Sequence, residues 1–222
     1  MLYTFAVATI LITLAELGDK TQLLALALAT KYKAWQVLVG IFVATLVIHF
    51  FSTLAGGLVG TLIPEFWLRV VSGLLFVGFG VWTLRGDDDQ DADKATAGAR
   101  FGPIATTAVA FFLAELGDKT QIMTMTIAAD PAAVLKTLGA AGPVISGFLA
   151  SLGLSARSIT PLESFWGVWL GSTVGMMIAD GLAIVVGVVL GKTLPERLIS
   201  RISGGIFIAF GLVYVVTALL GR

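Results

Sequence analysis

The sequence predicts an all-α integral membrane protein of six transmembrane helices, arranged as two inverted three-helix repeats. Three observations carry that prediction. The 222 residues are 57% hydrophobic and only 13% charged, with a mean hydropathy of +0.97; soluble domains run nearer a quarter charged. A spanning helix needs about 20 apolar residues, and six stretches of that kind fit once connections are allowed for. Finally, the nine residues L-A-E-L-G-D-K-T-Q occur twice, letter for letter, at Leu14–Gln22 and Leu113–Gln121.

The first segment runs from about Leu2 to Ala29, with Glu16, Gly18, Asp19 and Lys20 near its middle, and ends at Lys31, Tyr32 and Lys33. It lacks the basic leader of a cleavable signal peptide and carries the motif itself, so it reads as a retained helix. The second, about Ala34 to Leu62, holds the chain's one histidine, His49, ahead of Gly56, Gly57 and Gly60. Pro64 and Glu65 turn the chain into the third, about Trp67 to Leu84. These make residues 1–85 the first repeat. Asp87, Asp88, Asp89, Asp91 and Asp93 then crowd into residues 86–100, a composition that cannot build a core and reads as an acidic cytoplasmic linker.

Residues 101–222 form the second repeat. Its segments run from about Gly102 to Ala129 with the second motif, from Phe165 to Leu190 around Asp180, and from Leu198 to Leu220 after the Pro195–Glu196 turn. The motifs are offset by 99 positions. Later landmarks (Gly40 with Gly171, Pro64 with Pro195, Gly73 with Gly204, Gly80 with Gly211) are offset by 131, which also sets His49 opposite Asp180. The second repeat therefore carries an inserted segment near residues 130–162. Its apolar run, Ala132–Leu154, is interrupted by Lys136, Pro143 and four glycines. It is expected to lie at the interface or re-enter, because a seventh span would leave the halves parallel. Three helices per half is an odd number, so the second copy enters from the opposite face, as in many secondary transporters. Loop charges place Lys31, Lys33, Arg85, Lys94, Arg100, Lys192, Arg197 and Arg201 inside, and both termini outside.

Ionisable residues at membrane depth cost a few kcal/mol each and rarely persist without a task. On a continuous helix Glu16 and Asp19, and likewise Glu115 and Asp118, project from one face, and each Lys lies four after its Glu and can pair with it. Gly18 and Gly117 can let the backbone bend. Each ionised motif sums to minus one, so two facing motifs sum to minus two, which one divalent cation or two protons would neutralise. Four carboxylates with the neutral oxygens of Thr21, Thr120, Gln22 and Gln121 make a hard-ligand shell of the kind Ca2+ and Mn2+ accept, and protons compete for such crowded carboxylates. Four carboxylates against Lys20 and Lys119 leave an excess that structural salt bridging cannot remove. The lysines tune the charge or hold a carboxylate when metal is absent.

His49 and Asp180 are supporting candidates, as proton relay or outer ligand, against a packed neutral histidine and a paired aspartate. Met123, Met125, Met176 and Met177 read as packing, and Gly56-x-x-x-Gly60 and Gly187-x-x-x-Gly191 as close helix contacts. A net charge of zero argues against a nucleic-acid partner. Without cysteine there are no disulfides, thiolate metal sites or thiol redox chemistry. A passive divalent-cation channel and an exporter of small organic cations such as basic amino acids remain open alternatives. An intramembrane enzyme lacks a nucleophile–base arrangement.

The E-x-G-D-K-T pattern, present twice in a small duplicated chain, resembles the Gdt1 family of cation transporters, and the likeness covers essentially the whole sequence. What the resemblance implies is export of Mn2+ and/or Ca2+ from the cytosol in exchange for protons. Its motif carboxylates map onto Glu16, Asp19, Glu115 and Asp118, with Lys20, Thr21, Lys119 and Thr120 completing the pattern. The short chain is similar to the bacterial members, which implies a multi-pass protein of the cell (plasma) membrane. The insert departs from the family pattern. No cofactor is expected beyond transported Mn2+ or Ca2+; metal ions, protons and the bilayer are the expected partners, and a homo-oligomer is left open.

Overall fold

The computed structural model describes residues 1–85, 102–140, 147, 160–190 and 196–220. Among them the regular structure is helical: α1 (Leu2–Glu16), α2 (Lys20–Lys31), α3 (Ala34–Leu62), α4 (Glu65–Arg85), α5 (Pro103–Glu115), α6 (Lys119–Ala129), α7 (Pro131–Ala140), α8 (Pro161–Leu190) and α9 (Glu196–Leu219). The acidic linker, and the insert beyond α7 apart from position 147, lie outside the described residues.

Four helices are long and apolar enough to cross a bilayer, and the bent pair α1–α2 is a fifth candidate if it counts as one span, so the chain is a multi-pass membrane protein of four to five candidate spans. The expectation of unbroken spans through both motifs is corrected here. The first segment divides into α1 and α2, whose axes meet at 80°, and the fourth divides into α5 and α6, 13 and 11 residues long. Each of those falls short of the roughly 20 residues a crossing needs. The cause is local: Gly18 and Gly117 sit at φ +80° and +86°, a left-handed conformation that glycine adopts without strain and that no continuing helix permits. Glu65 and Glu196, expected in turns, instead begin α4 and α9.

Packing exchanges the two halves. The broken pair α1–α2 leans on α8, and α5–α6 leans on α3, each on the long helix of the other repeat. The contacts match position for position under the offsets seen in the sequence. Gly171 abuts the Phe5 carbonyl as Gly40 abuts that of Ile104, and Gly187 abuts Leu26 as Gly56 abuts Met125. Thr9 and Thr13 donate to the carbonyls of Gly171 and Gly175, each at 3.1 Å, so α1 and α8 run in the same direction.

Repeat mates run in opposite directions. Gly73 of α4 meets Gly211 of α9, whereas Gly80, further along, meets Gly204. Phe76 and its mate Phe207 stack between them with centroids 6.4 Å apart. Likewise Trp169 of α8 donates to the Leu46 carbonyl of α3 at 2.8 Å, while Phe165, earlier in α8, packs on Phe50, later in α3. One buried cluster joins α1, α4, α8 and α9 through Leu11, Ile12, Phe76, Met176, Phe207 and Tyr214. A second joins α2, α3 and α5 through Leu28, Ile41 and Phe111. The outer face exposes Phe42, Phe51, Leu58, Trp67, Leu74, Val185 and Leu212, an apolar belt that fits a hydrocarbon surround.

The glycine contact between α4 and α9 leaves no room for a side chain. Gly80→Val drives a branched group into the Gly204 carbonyl and is expected to cost about 1–3 kcal/mol. Gly78→Ala, on an open face of the same helix, should leave the melting temperature in detergent unchanged.

Candidate cation site at the paired helix breaks

Each motif is a helix break rather than a helix. Glu16 is the last residue of α1, Leu17 is extended, Gly18 turns left-handed, and Asp19 is the N-cap of α2. Glu115, Leu116, Gly117 and Asp118 repeat the sequence of conformations between α5 and α6. The glutamate–aspartate pairs are therefore brought together by a turn, not by one helix face. The Asp19 amide donates to the Glu16 carbonyl at 3.1 Å and the Asp118 amide to that of Glu115 at 3.2 Å.

The glutamines close the turns. Gln22 Oε1 accepts from the Gly18 amide at 2.9 Å, and Gln121 Oε1 accepts from the Gly117 amide at 2.6 Å. These bonds satisfy amides that the broken helices leave without intrahelical partners. Gln22 Nε2 also donates to the Ala179 carbonyl of α8 at 2.9 Å, tying the first break to the other half. That partner is a backbone atom, which no sequence signal could have marked. In this structure both glutamine oxygens thus face their own backbone.

Glu16, Asp19, Glu115 and Asp118 are all buried. Thr21 donates its hydroxyl to Glu16, and Thr120 donates to Glu115 at 2.7 Å. Aspartate at an N-cap normally bonds its own helix's amides, yet neither Asp19 nor Asp118 makes a side-chain cap bond. Asp19 instead faces the second motif, where Lys119 Nζ stands 2.9 Å from its Oδ1. Lys119 thus crosses to the other repeat, a partner that spacing along its own helix does not give. The Lys20 side chain lies outside the described residues.

The two breaks share one electrostatic environment. Glu16 is within reach of the charges of Glu115, Asp19, Asp180 and Lys119, and Glu115 within reach of Asp118, Asp19 and Lys119. Asp180, fully buried on α8, reaches Glu115 as well. Glu16 Oε2, Glu115 Oε1, Asp118 Oδ2 and both Asp180 oxygens receive no hydrogen bond from the described residues. Buried acceptors without donors are costly, and hard oxygens are what a divalent cation or a proton would satisfy. Among the described residues, no three carboxylates or imidazoles converge closely enough to coordinate one metal ion.

His49 is fully buried on α3, and its ring nitrogens bond to nothing among the described residues. The structure thus brings Asp180 to the motif carboxylates but does not tie His49 to them. Thr124 and Ser172 extend the polar lining between α6 and α8, 3.3 Å apart. Ser172 and Thr173, two hydroxyls side by side in an apolar helix, were the sequence signal for that lining. Met123 and Met176 are buried in the apolar cluster, as packing requires.

Known proteins resemble this chain along nearly its whole length. The family model described as "Divalent cation/proton antiporter GDT1" matches residues 4–91, 103–146 and 146–221. A Vibrio cholerae protein named "Putative manganese exporter" is 32% identical over 211 residues, covering 93% of this chain and 88% of its own length. A GDT1-like protein of Synechocystis is 27% identical over 232 residues, covering 96% and 97%. GDT1-like protein 5 of Arabidopsis thaliana is 25% identical, covering 92% and 91%. No solved structure matches the chain.

The left-handed turn makes a specific demand. Gly117→Ala places a Cβ at φ +86°, where a non-glycine residue costs about 1–2 kcal/mol. Its melting temperature should fall, and Gly117→Asn, better suited to that conformation, should recover part of the loss. Equal melting of both variants with the parent would mean that the break does not need a left-handed residue.

Proposed function

The chain belongs to the divalent cation/proton antiporter GDT1 family and is a membrane transporter of divalent cations rather than an enzyme, and from that premise we propose that it exports Mn2+, and Ca2+ through the same oxygen shell, from the cytoplasm in exchange for protons. Glu16 and Asp19 of one motif and Glu115 and Asp118 of the other hold the cation and take up the protons. Since no three of them converge in this conformation, the proposed shell closes around the ion only as the two motifs move together. Lys20, Thr21, Lys119 and Thr120 support them, with Asp180 as an additional carboxylate. Gln22 and Gln121 brace the turns and become ligands only when an oxygen is released from its glycine amide.

The observation that carries this reading is the bond between the motifs: Lys119 of the second pairs with Asp19 of the first at 2.9 Å. The two copies therefore form one site, not two independent salt bridges. Discontinuous helices whose ends meet inside the protein are the construction by which many secondary transporters place charge at mid-membrane. The opposed directions of α4 and α9, and of α3 and α8, support the inverted arrangement. Two inverted halves make six crossings when each broken pair counts as one.

The contacts at the chain ends support the same topology. Met1 pairs with Glu163 at 3.6 Å and Arg69 with Asp130 at 3.5 Å. Both pairs join residues expected on the extracytoplasmic side. Each half rocking about the α4–α9 contact would open the site to one face at a time. The cell membrane is the proposed location, by likeness to the bacterial relative named as an exporter.

Purified protein in proteoliposomes tests the reading. An imposed pH gradient should drive Mn2+ uphill, and Glu16→Gln and Glu115→Gln should each abolish that movement. Flux that follows only the metal gradient would make the protein a channel. Full activity in either variant would refute a shared site.

A further inference from the structure

We propose that Lys119 is a tethered cation that occupies Asp19 while the transported cation is absent and withdraws when that cation binds, so that loading at the first motif is felt at the second. The inference rests on the shared cation site proposed above. Its geometry is specific. Lys119 opens α6, four residues after Glu115 and next to Asp118, and either carboxylate would be its nearest partner along the chain. Its ammonium group nevertheless lies against Asp19 of the other repeat, with both side chains buried. Glu115 takes the Thr120 hydroxyl instead.

Asp19 is held ready for a cation. As the N-cap of α2 it makes no side-chain cap bond, and its carboxylate meets Lys119 across the interface between the halves. A lysine ammonium is a compact charge on a flexible four-carbon stem. It can therefore leave Asp19 by side-chain rotation, without unwinding α6. Lys119 also lies within electrostatic reach of Glu16 and Glu115, so a second resting place among the carboxylates of its own motif is at hand.

Charge makes departure obligatory. A divalent cation on Glu16 and Asp19 would face the ammonium across a few ångströms of water-poor protein, where like charges repel strongly. As the metal arrives, the ammonium must retreat toward Glu115 and Asp118. The retreat removes the ion pair that bridges the halves and adds positive charge to the second motif. One event thus loosens the interface and changes the affinity of the partner motif for cations and protons.

The test uses the full-length protein in detergent, titrated with MnCl2 alone, with the same preparations reconstituted for exchange. Lys119→Gln should lower the melting temperature without metal, because it strands a buried carboxylate. It should nevertheless bind Mn2+ at least about fivefold tighter, show a larger metal-induced rise in melting temperature, and exchange more slowly. Lys119→Arg, whose planar fork grips a carboxylate with two bonds, should bind Mn2+ more weakly than the parent; it carries the test if Lys119→Gln does not fold. Suppose instead that Lys119→Gln binds Mn2+ no tighter and its melting temperature drops equally with and without metal. Lys119 is then a fixed structural counter-ion and the inference falls, while the transport reading stands. An arginine variant with the parent's affinity overturns it equally. A parent protein that neither binds nor moves Mn2+ overturns both.

Discussion

The structure depends on one constraint: a helix that stops partway through a bilayer exposes amides and carbonyls that lipid cannot satisfy. Both motifs stop a helix in that way. At each break a glutamine from the next turn accepts the stranded glycine amide, and the carboxylates on either side of the turn are buried. The glutamine is as necessary to the motif as its carboxylates. Without it the left-handed glycine would lose the side-chain acceptor of its amide.

That constraint also explains the exchange of helices between halves. The long helix that follows each broken pair in the chain is not its main packing partner. Each break is instead packed on the long second helix of the opposite repeat, α1–α2 on α8 and α5–α6 on α3. The bond from Gln22 to the Ala179 carbonyl and the ion pair from Lys119 to Asp19 both cross between halves. The duplicated sequence specifies a structure only as a pair, and the close α4–α9 crossing at Gly73, Gly80, Gly204 and Gly211 is the seam where that pair is joined.

Much of this was legible in the residues. The offsets of 99 and 131 positions anticipate which atoms meet, down to Phe5 and Ile104 taking equivalent places against Gly171 and Gly40. α3 begins and ends where the apolar run does. The departure came at the motifs. Apolar runs flank Leu14–Gln22 on both sides, so the length of the segment reads as a single helix, and only the backbone angle at Gly18 reveals the turn. Glycine inside a helical pattern announces the option of a bend but not its use. The partner of Lys119 was hidden for a different reason. Local spacing favours Glu115, and the closer approach of Asp19 exists only once the two halves have assembled.

The charge balance at the site follows from that assembly. Glu16, Asp19, Glu115, Asp118 and Asp180 share one buried environment, and Lys119 is the cation the structure sets directly against one of them. Five ionised carboxylates with two motif lysines would leave three uncompensated negative charges inside the membrane. That state is too costly to persist in a medium of low dielectric constant. Under the proposed function, carboxylates there take either protons or a metal ion, and a site able to be neutralised in two ways can trade one for the other. Under the proposed reading, exchange is what remains when the bare, fully ionised site is forbidden: metal leaves only as protons arrive. Asp180 sharpens this requirement. It adds a carboxylate beside Glu115 that its repeat mate His49 does not match.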